Sequence, residues 1–242
     1  MSTIAILGAS GHIARGLIFK IAQESQHSLI LYARTVTKIE SFLEKHIPPT
    51  AHIASFNLDE FGSHPCDVVI NAIGVGDPKT VRKLGRSIID ISAGYDEMVL
   101  SHLNKNPHTQ YIFLSSGAVY GNRSEPRPHA LPCPNFTPRP HSDYAQSKVI
   151  AEKAHRASPH LNIVDLRIFS YFSRFIDLKG QFLMAEIARC ILDNQEFISG
   201  PGHLMRDYCV LDDLWRFIRI CMNREVNDAF DIYSREPIDK IT

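Results

Sequence analysis

The feature that most constrains this chain is a short turn near its start. Directly after the apolar run Ile4-Ala5-Ile6-Leu7 stands Gly8-Ala9-Ser10-Gly11-His12-Ile13-Ala14, which opens an amphipathic stretch. Small residues between a strand and a helix let the backbone approach a pyrophosphate, whose charge the free N–H groups and dipole of the helix start then hold. Gly8, Ser10, Gly11, His12 and Ile13 are therefore candidate dinucleotide ligands, provided the turn lies within a β-α-β unit.

The surrounding pattern supplies that unit. Short β-branched runs at Ile4–Leu7, Leu29–Ala33, Ile53–Phe56, Val68–Ala72 and Tyr111–Ser115 alternate with helical patterns at Ile13–Ala22, Val36–Lys45, Lys79–Ile88 and Asp96–Leu103. Continuous apolar strands between amphipathic helices predict an α/β fold, a Rossmann-type doubly wound parallel sheet covered on both faces. Six prolines between Arg123 and His141 predict a loop or lid. Beyond it a helix from Tyr144 to about Ala157, capped by Ser142 or Asp143, and a strand at Ile163–Ile168 complete a dinucleotide-binding domain over residues 1–168. Residues 169–242, with helical patterns near Phe182–Leu192 and Leu211–Met222, form a small, shortened C-terminal substrate lobe that re-enters the sheet if its last apolar run is a strand.

Composition excludes other classes. The 242 residues carry 26 basic and 26 acidic side chains, a formal net charge of zero, so no global positive field draws a nucleic acid or an anionic bilayer. No apolar stretch has the length of a membrane helix, and the N-terminus lacks a signal-peptide pattern, so a cytoplasmic protein is expected. Cys66, Cys133, Cys190, Cys209 and Cys221 are odd in number and unpaired in spacing, which suggests neither disulfides nor a zinc cage. The 12 histidines are scattered and are expected at the surface or in loops rather than on a metal.

Three further sites carry chemistry. The second strand ends Leu31-Tyr32-Ala33-Arg34, without the carboxylate that takes an NAD ribose; Arg34 can pair with a 2′-phosphate, which favours NADP(H) and leaves NAD(H) possible. In Tyr144-Ala145-Gln146-Ser147-Lys148, residues i and i+4 share a helix face, so the Lys148 ammonium is expected to lower the Tyr144 phenol pKa. Strand five ends in Leu114-Ser115-Ser116-Gly117, at the sheet edge where ligands of open α/β folds bind. A serine there can hydrogen-bond a substrate oxygen while the tyrosine moves its proton.

Together these residues resemble the extended short-chain dehydrogenase/reductases, a group that includes NAD(P)-dependent nucleotide-sugar epimerases, dehydratases and ketoreductases. The likeness rests on Gly8, Gly11 and Ala14, on Asn57-Leu58, Asn71-Ala72-Ile73-Gly74 and Ser115 to Gly121, and on Tyr144 with Lys148, Leu166-Arg167 and Arg206-Asp207-Tyr208. It implies that Ser116 is the catalytic hydroxyl, Tyr144 the acid/base, and Lys148 both its partner and a ribose ligand. Asn57, Leu58, Ala72, Ile73 and Gly74 then belong with the cofactor, and Ser170 and Arg206 with the substrate. The substrate is expected to be a nucleotide sugar and the protein a homodimer, through helices near Met98–Leu103 and Tyr144–Ala157.

The departures shape the expected reaction. Gly117-Ala118 stands where dehydratases of the group place an Asp-Glu pair, so elimination of water is not expected. Arg34 tilts the choice toward reduction of a keto-sugar by NADPH, with an NAD-dependent epimerase as the alternative. Ser170 replaces the group's asparagine, and the short lobe leaves open a non-nucleotide carbonyl substrate or a non-catalytic dinucleotide sensor.

Overall fold

A computed structural model of the chain describes residues 1–24, 26–75, 78–121, 140–200, 202–203, 205–222 and 224–239. The expected proline loop, with Arg123, Arg127, His129 and Arg139, lies almost wholly outside the described residues, as does Cys133.

In chain order the elements are β1 (Thr3–Leu7), α1 (His12–Glu24), β2 (Ser28–Ala33), α2 (Val36–His46), β3 (Ile53–Asn57), β4 (Val68–Asn71), α3 (Pro78–Leu84), α4 (Ser87–Lys105) and β5 (Gln110–Ser116). After the proline loop come α5 (Asp143–Arg156), β6 (Ile163–Ile168), β7 (Tyr171–Phe172), α6 (Leu183–Leu192), β8 (Met205–Arg206), β9 (Cys209–Val210), α7 (Leu211–Cys221), β10 (Asp228–Ile232) and β11 (Ile238–Asp239).

The main sheet has seven strands in the order β10-β6-β5-β4-β1-β2-β3, all parallel. The chain winds outward from β1 through β2 to β3, then returns to β4 on the other side of β1. That reversal places a crevice at the carboxyl ends of β1 and β4.

Alternation along each strand fills both faces. Ile4 and Ile6 of β1 pack with α1, α2 and α7 through Leu17, Ile18, Phe42, Leu214 and Trp215. Ala5 and Leu7 pack on the opposite face with Val99 and Leu103 of α4 and Ala151 of α5. Such two-sided burial is why the parallel strands read as unbroken apolar runs.

Two expectations change. The helices expected at Lys79–Ile88 and Asp96–Leu103 are instead a short α3 and a 19-residue α4, because the chain turns at Gly85 and Gly94 lies inside a continuous helix. Strand β10 pairs with β6, the re-entry into the main sheet that the sequence left open. Histidines are not confined to surface and loops: His155 is 0% exposed. Among the described residues, no helix is long and apolar enough to cross a membrane.

Candidate active site

The two lips of the crevice touch. Gly8 has φ +74°, and a Cβ there would stand 2.9 Å from the Ile73 nitrogen and 3.0 Å from the Ala72 carbonyl carbon. Only a residue without a side chain fits both the conformation and the space. The Gly11 N–H donates to the Gly8 carbonyl at 2.9 Å, closing the turn that starts α1. The first N–H groups of α1, at His12, Ile13 and Ala14, have no intrahelical acceptors. Ser10 sits half-buried in the same turn. This bare cradle fits a pyrophosphate.

The His12 ring takes a different direction. It shares a 2.8 Å hydrogen bond with Ser173 Oγ and meets Tyr171 edge-on at 4.9 Å, tying the turn to the segment after β6. Burial pushes its pKa down to about 4, so the imidazole is neutral; any cofactor contact from His12 falls to its backbone.

At the far end of β2, Arg34 is exposed and makes no hydrogen bond or ion pair among the described residues. Tyr32 does not share that site: it is buried among Phe56 and Phe61, its hydroxyl 3.3 Å from His64 Nδ1. Asn57 is exposed, its N–H donating to Glu60 Oε1 at 2.8 Å, while Leu58 is a core residue.

The structure brings Ser116, Tyr144 and Lys148 together. Ser142 caps α5 by accepting from the Ala145 N–H at 3.2 Å, which starts the helix one turn before Lys148. Tyr144, Lys148 and Glu152 then follow at helical spacing on the sheet-facing side. Ser116 ends β5; its Oγ accepts from the Ala118 N–H at 3.2 Å and lies near enough to the Tyr144 phenol to bear on its pKa. Lys148 is 4% exposed, donates to the Leu114 carbonyl at 2.8 Å and lies 4.2 Å from the Phe113 ring centroid. Its Nζ would stand 3.8 Å from a Cβ on Gly74, so it reaches the β4 lip of the crevice.

Electrostatics correct one expectation. The Tyr144 pKa is raised, not lowered: burial pushes it up, opposed by the nearby Ser116 hydroxyl. The ammonium of Lys148 is 6.0 Å from the Tyr144 ring centroid and is spent on Leu114 and Phe113. Burial in turn lowers Lys148 to about 8, against the opposing pull of Asp96, Asp165 and Glu152.

Ser115, beside the catalytic candidate, is structural. It donates to Glu152 Oε1 at 2.6 Å, and the same carboxylate takes Arg167 Nη2 at 2.6 Å and Nε at 3.0 Å. Arg167 Nη1 donates to the Tyr120 oxygen at 2.8 Å, and the Tyr120 hydroxyl donates to Asp231. Over this network Phe169 stacks between Tyr120 and Tyr233, at centroid distances of 5.9 and 5.1 Å. A Cβ on Gly117 would run into the Phe169 ring. Ser170 gives its carbonyl to the Cys209 N–H at 2.8 Å, and Arg206 is exposed in β8; neither is bonded to the Ser116, Tyr144 and Lys148 group.

A second buried network was not legible in advance. His155 Nδ1 lies 2.6 Å from Asp165 Oδ1 and its Nε2 lies 3.0 Å from Asp96 Oδ1. Both ring nitrogens face carboxylates, and only the imidazolium can donate to both. Burial lowers the His155 pKa, but the Asp165 and Asp96 hydrogen bonds outweigh it and raise it to about 9. The signal in the sequence was an acid inside an apolar strand, Asp165 within Ile163–Ile168.

A histidine raised from 6.5 to about 9 gives stability that is complete below pH 6.5 and fades as pH rises toward 9. Lys148, lowered from 10.5 to about 8, acts oppositely from pH 8 upward, because the unfolded chain then retains a proton that the native state has released. The melting temperature is expected to fall between about pH 6.5 and 8 and to level above; a rise across the first interval contradicts the assignment.

A doubly wound sheet with a glycine cradle at its switch point, and a serine, tyrosine and lysine at its carboxyl edge, defines a dinucleotide-dependent enzyme of the short-chain dehydrogenase type. The chain belongs to the NAD dependent epimerase/dehydratase family, which matches residues 4–234. No curated protein matches the sequence. Among solved structures it is similar to UDP-N-acetylglucosamine 4-epimerase from Methanobrevibacter ruminantium M1, in complex with UDP-N-acetylmuramic acid, with TM-score 0.80 and 17% identity over 98% of this chain and 78% of that one. UDP-glucuronic acid 4-epimerase from Bacillus cereus, in complex with UDP-glucuronic acid and NAD, gives 0.76 and 17% over 99% and 80%. dTDP-glucose 4,6-dehydratase from Bacillus anthracis str. Ames, in complex with NAD, gives 0.80 and 15% over 100% and 78%.

Proposed function

We propose that the protein is an NAD-dependent epimerase of a nucleotide-activated sugar. The observation that carries this reading is the meeting of Ser116, Tyr144 and Lys148 beside the β1/β4 crevice. The family match and the epimerases among its structural relatives support it over the reduction of a keto-sugar that Arg34 suggested.

The dinucleotide would lie along Gly8, Gly11 and the start of α1, with Ile73 and Gly74 opposite and Lys148 at its ribose. When bound it supplies a hydride acceptor and donor. Tyr144 takes the sugar hydroxyl proton as the carbon is oxidised and gives it back on reduction, while Ser116 holds the oxygen by a hydrogen bond. Dehydration lacks support, since Phe169 fills the space where a carboxylate on residue 117 would project. The exposed Ile91 and Ile150, on the packed pair α4 and α5, support a homodimer.

Arg34 supports a second reading, NADP as the dinucleotide, because it is exposed with no carboxylate beside it at the end of β2. A thermal-shift screen separates them. NAD and one or more UDP-, GDP-, dTDP- or CDP-sugars are expected to raise the melting temperature. Stabilisation by NADP alone favours reduction, and stabilisation by neither dinucleotide contradicts both readings.

A further inference from the structure

The buried Asp96, His155 and Asp165 cluster does not end at α5. The Tyr111 hydroxyl donates to Asp96 Oδ1 at 2.7 Å and accepts from Asn71 Nδ2 at 2.8 Å. Asn71 Oδ1 in turn accepts from the Ile73 N–H at 2.9 Å. Ile73 is the peptide against which bare Gly8 packs, so this line of bonds runs from the interior to one lip of the crevice. At its inner end Asp165 is also held by Arg156 Nη2 at 2.7 Å. Each member from Asn71 to Asp165 is buried, where a fully satisfied chain of bonds rigidifies its surroundings.

We propose that Asn71 and Tyr111 are positioning residues for the dinucleotide: anchored on the Asp96–His155–Asp165 cluster, they fix the Ile73 peptide and with it the spacing between the β1 and β4 lips. The inference rests on the dinucleotide reading of the crevice. A hydroxyl and an amide, both buried, thereby govern how well the ligand fits. A preorganised lip costs nothing to order on binding, whereas a loosened one must be ordered each time.

The test is the dissociation constant of NAD, by calorimetry, on the full chain well below its melting temperature. Tyr111→Phe, which removes only the bridging oxygen, is expected to raise Kd about fivefold, and Asn71→Ala about as much. The double variant is expected to lose no more than about tenfold, since both break one line; independent sites would multiply to about 25-fold. Leu103→Ala, a core truncation on α4 outside the line, is expected to lower the melting temperature and leave Kd unchanged. Unchanged Kd in Tyr111→Phe, a multiplicative double variant, or a Leu103→Ala loss as large as that of Tyr111→Phe overturns the proposal while leaving the dinucleotide reading intact. A wild-type protein that binds neither NAD nor NADP overturns both.

Discussion

Replacing Tyr144 by phenylalanine is expected to lower turnover by about 10³-fold or more while NAD binding changes by only a few-fold. The phenol hydroxyl lies near Ser116 on the helix that carries Lys148 and is the group in the site placed to move a proton at a substrate oxygen. Proton transfer by a positioned side chain contributes typically 10²–10⁴ in rate. The ring itself remains in Tyr144→Phe, so the packing of the α5 start beside Lys148 is retained and the cofactor cradle at Gly8 is untouched. Turnover and Kd measured on the same preparation distinguish loss of chemistry from loss of binding. A variant that turns over near the wild-type rate removes Tyr144 from the mechanism.

Asp165→Ala is expected to cost about 3–5 kcal/mol of stability, the range for breaking a buried ion pair and leaving its partner uncompensated. Asp165 is 0% exposed and holds both His155 and Arg156. Its removal strands a buried imidazolium facing Asp96 alone and frees the end of α5, on which Tyr144 and Lys148 are carried. For a chain of this size that is a drop of roughly 10 °C in melting temperature, read by calorimetry or circular dichroism. A shift of only a degree or two contradicts the picture of a charged, mutually dependent cluster.

The main sheet was legible because its inner strands are buried on both faces. β1 and β6 announce themselves as apolar runs, and Ile163–Ile168 has the bounds the sequence suggests. β10 was not assigned because it is an edge strand with alternating exposure, and Asp228 and Asp231 interrupt its pattern. In α4 the glycine at position 94 reads as a break, yet the helix continues because burial of Ile88, Val99 and Leu103 outweighs a propensity penalty of about 1 kcal/mol.

The site divides in the same way. Tyr144 and Lys148 share one helix, so their spacing alone brings them together, and Ser116 stands at a strand end whose place the topology fixes. Asp96, His155 and Asp165 come from α4, α5 and β6, and no local pattern indicates that three such segments meet. The phenol pKa is not legible from i to i+4 spacing, which gives proximity but not the competing bonds of Lys148 with Leu114 and Phe113.

At the single site made by Ser116, Tyr144 and Lys148, one carbon of a sugar is expected to be oxidised and reduced again. Proton NMR of nucleotide sugars incubated with the NAD-loaded protein in D₂O tests it most directly. The expected result is inversion at one carbon, with the carbon-bound hydrogen retained and no net change in absorbance at the reduced-dinucleotide band. Deuterium appearing at the inverted carbon, or no conversion of any sugar that the protein binds together with NAD, contradicts it.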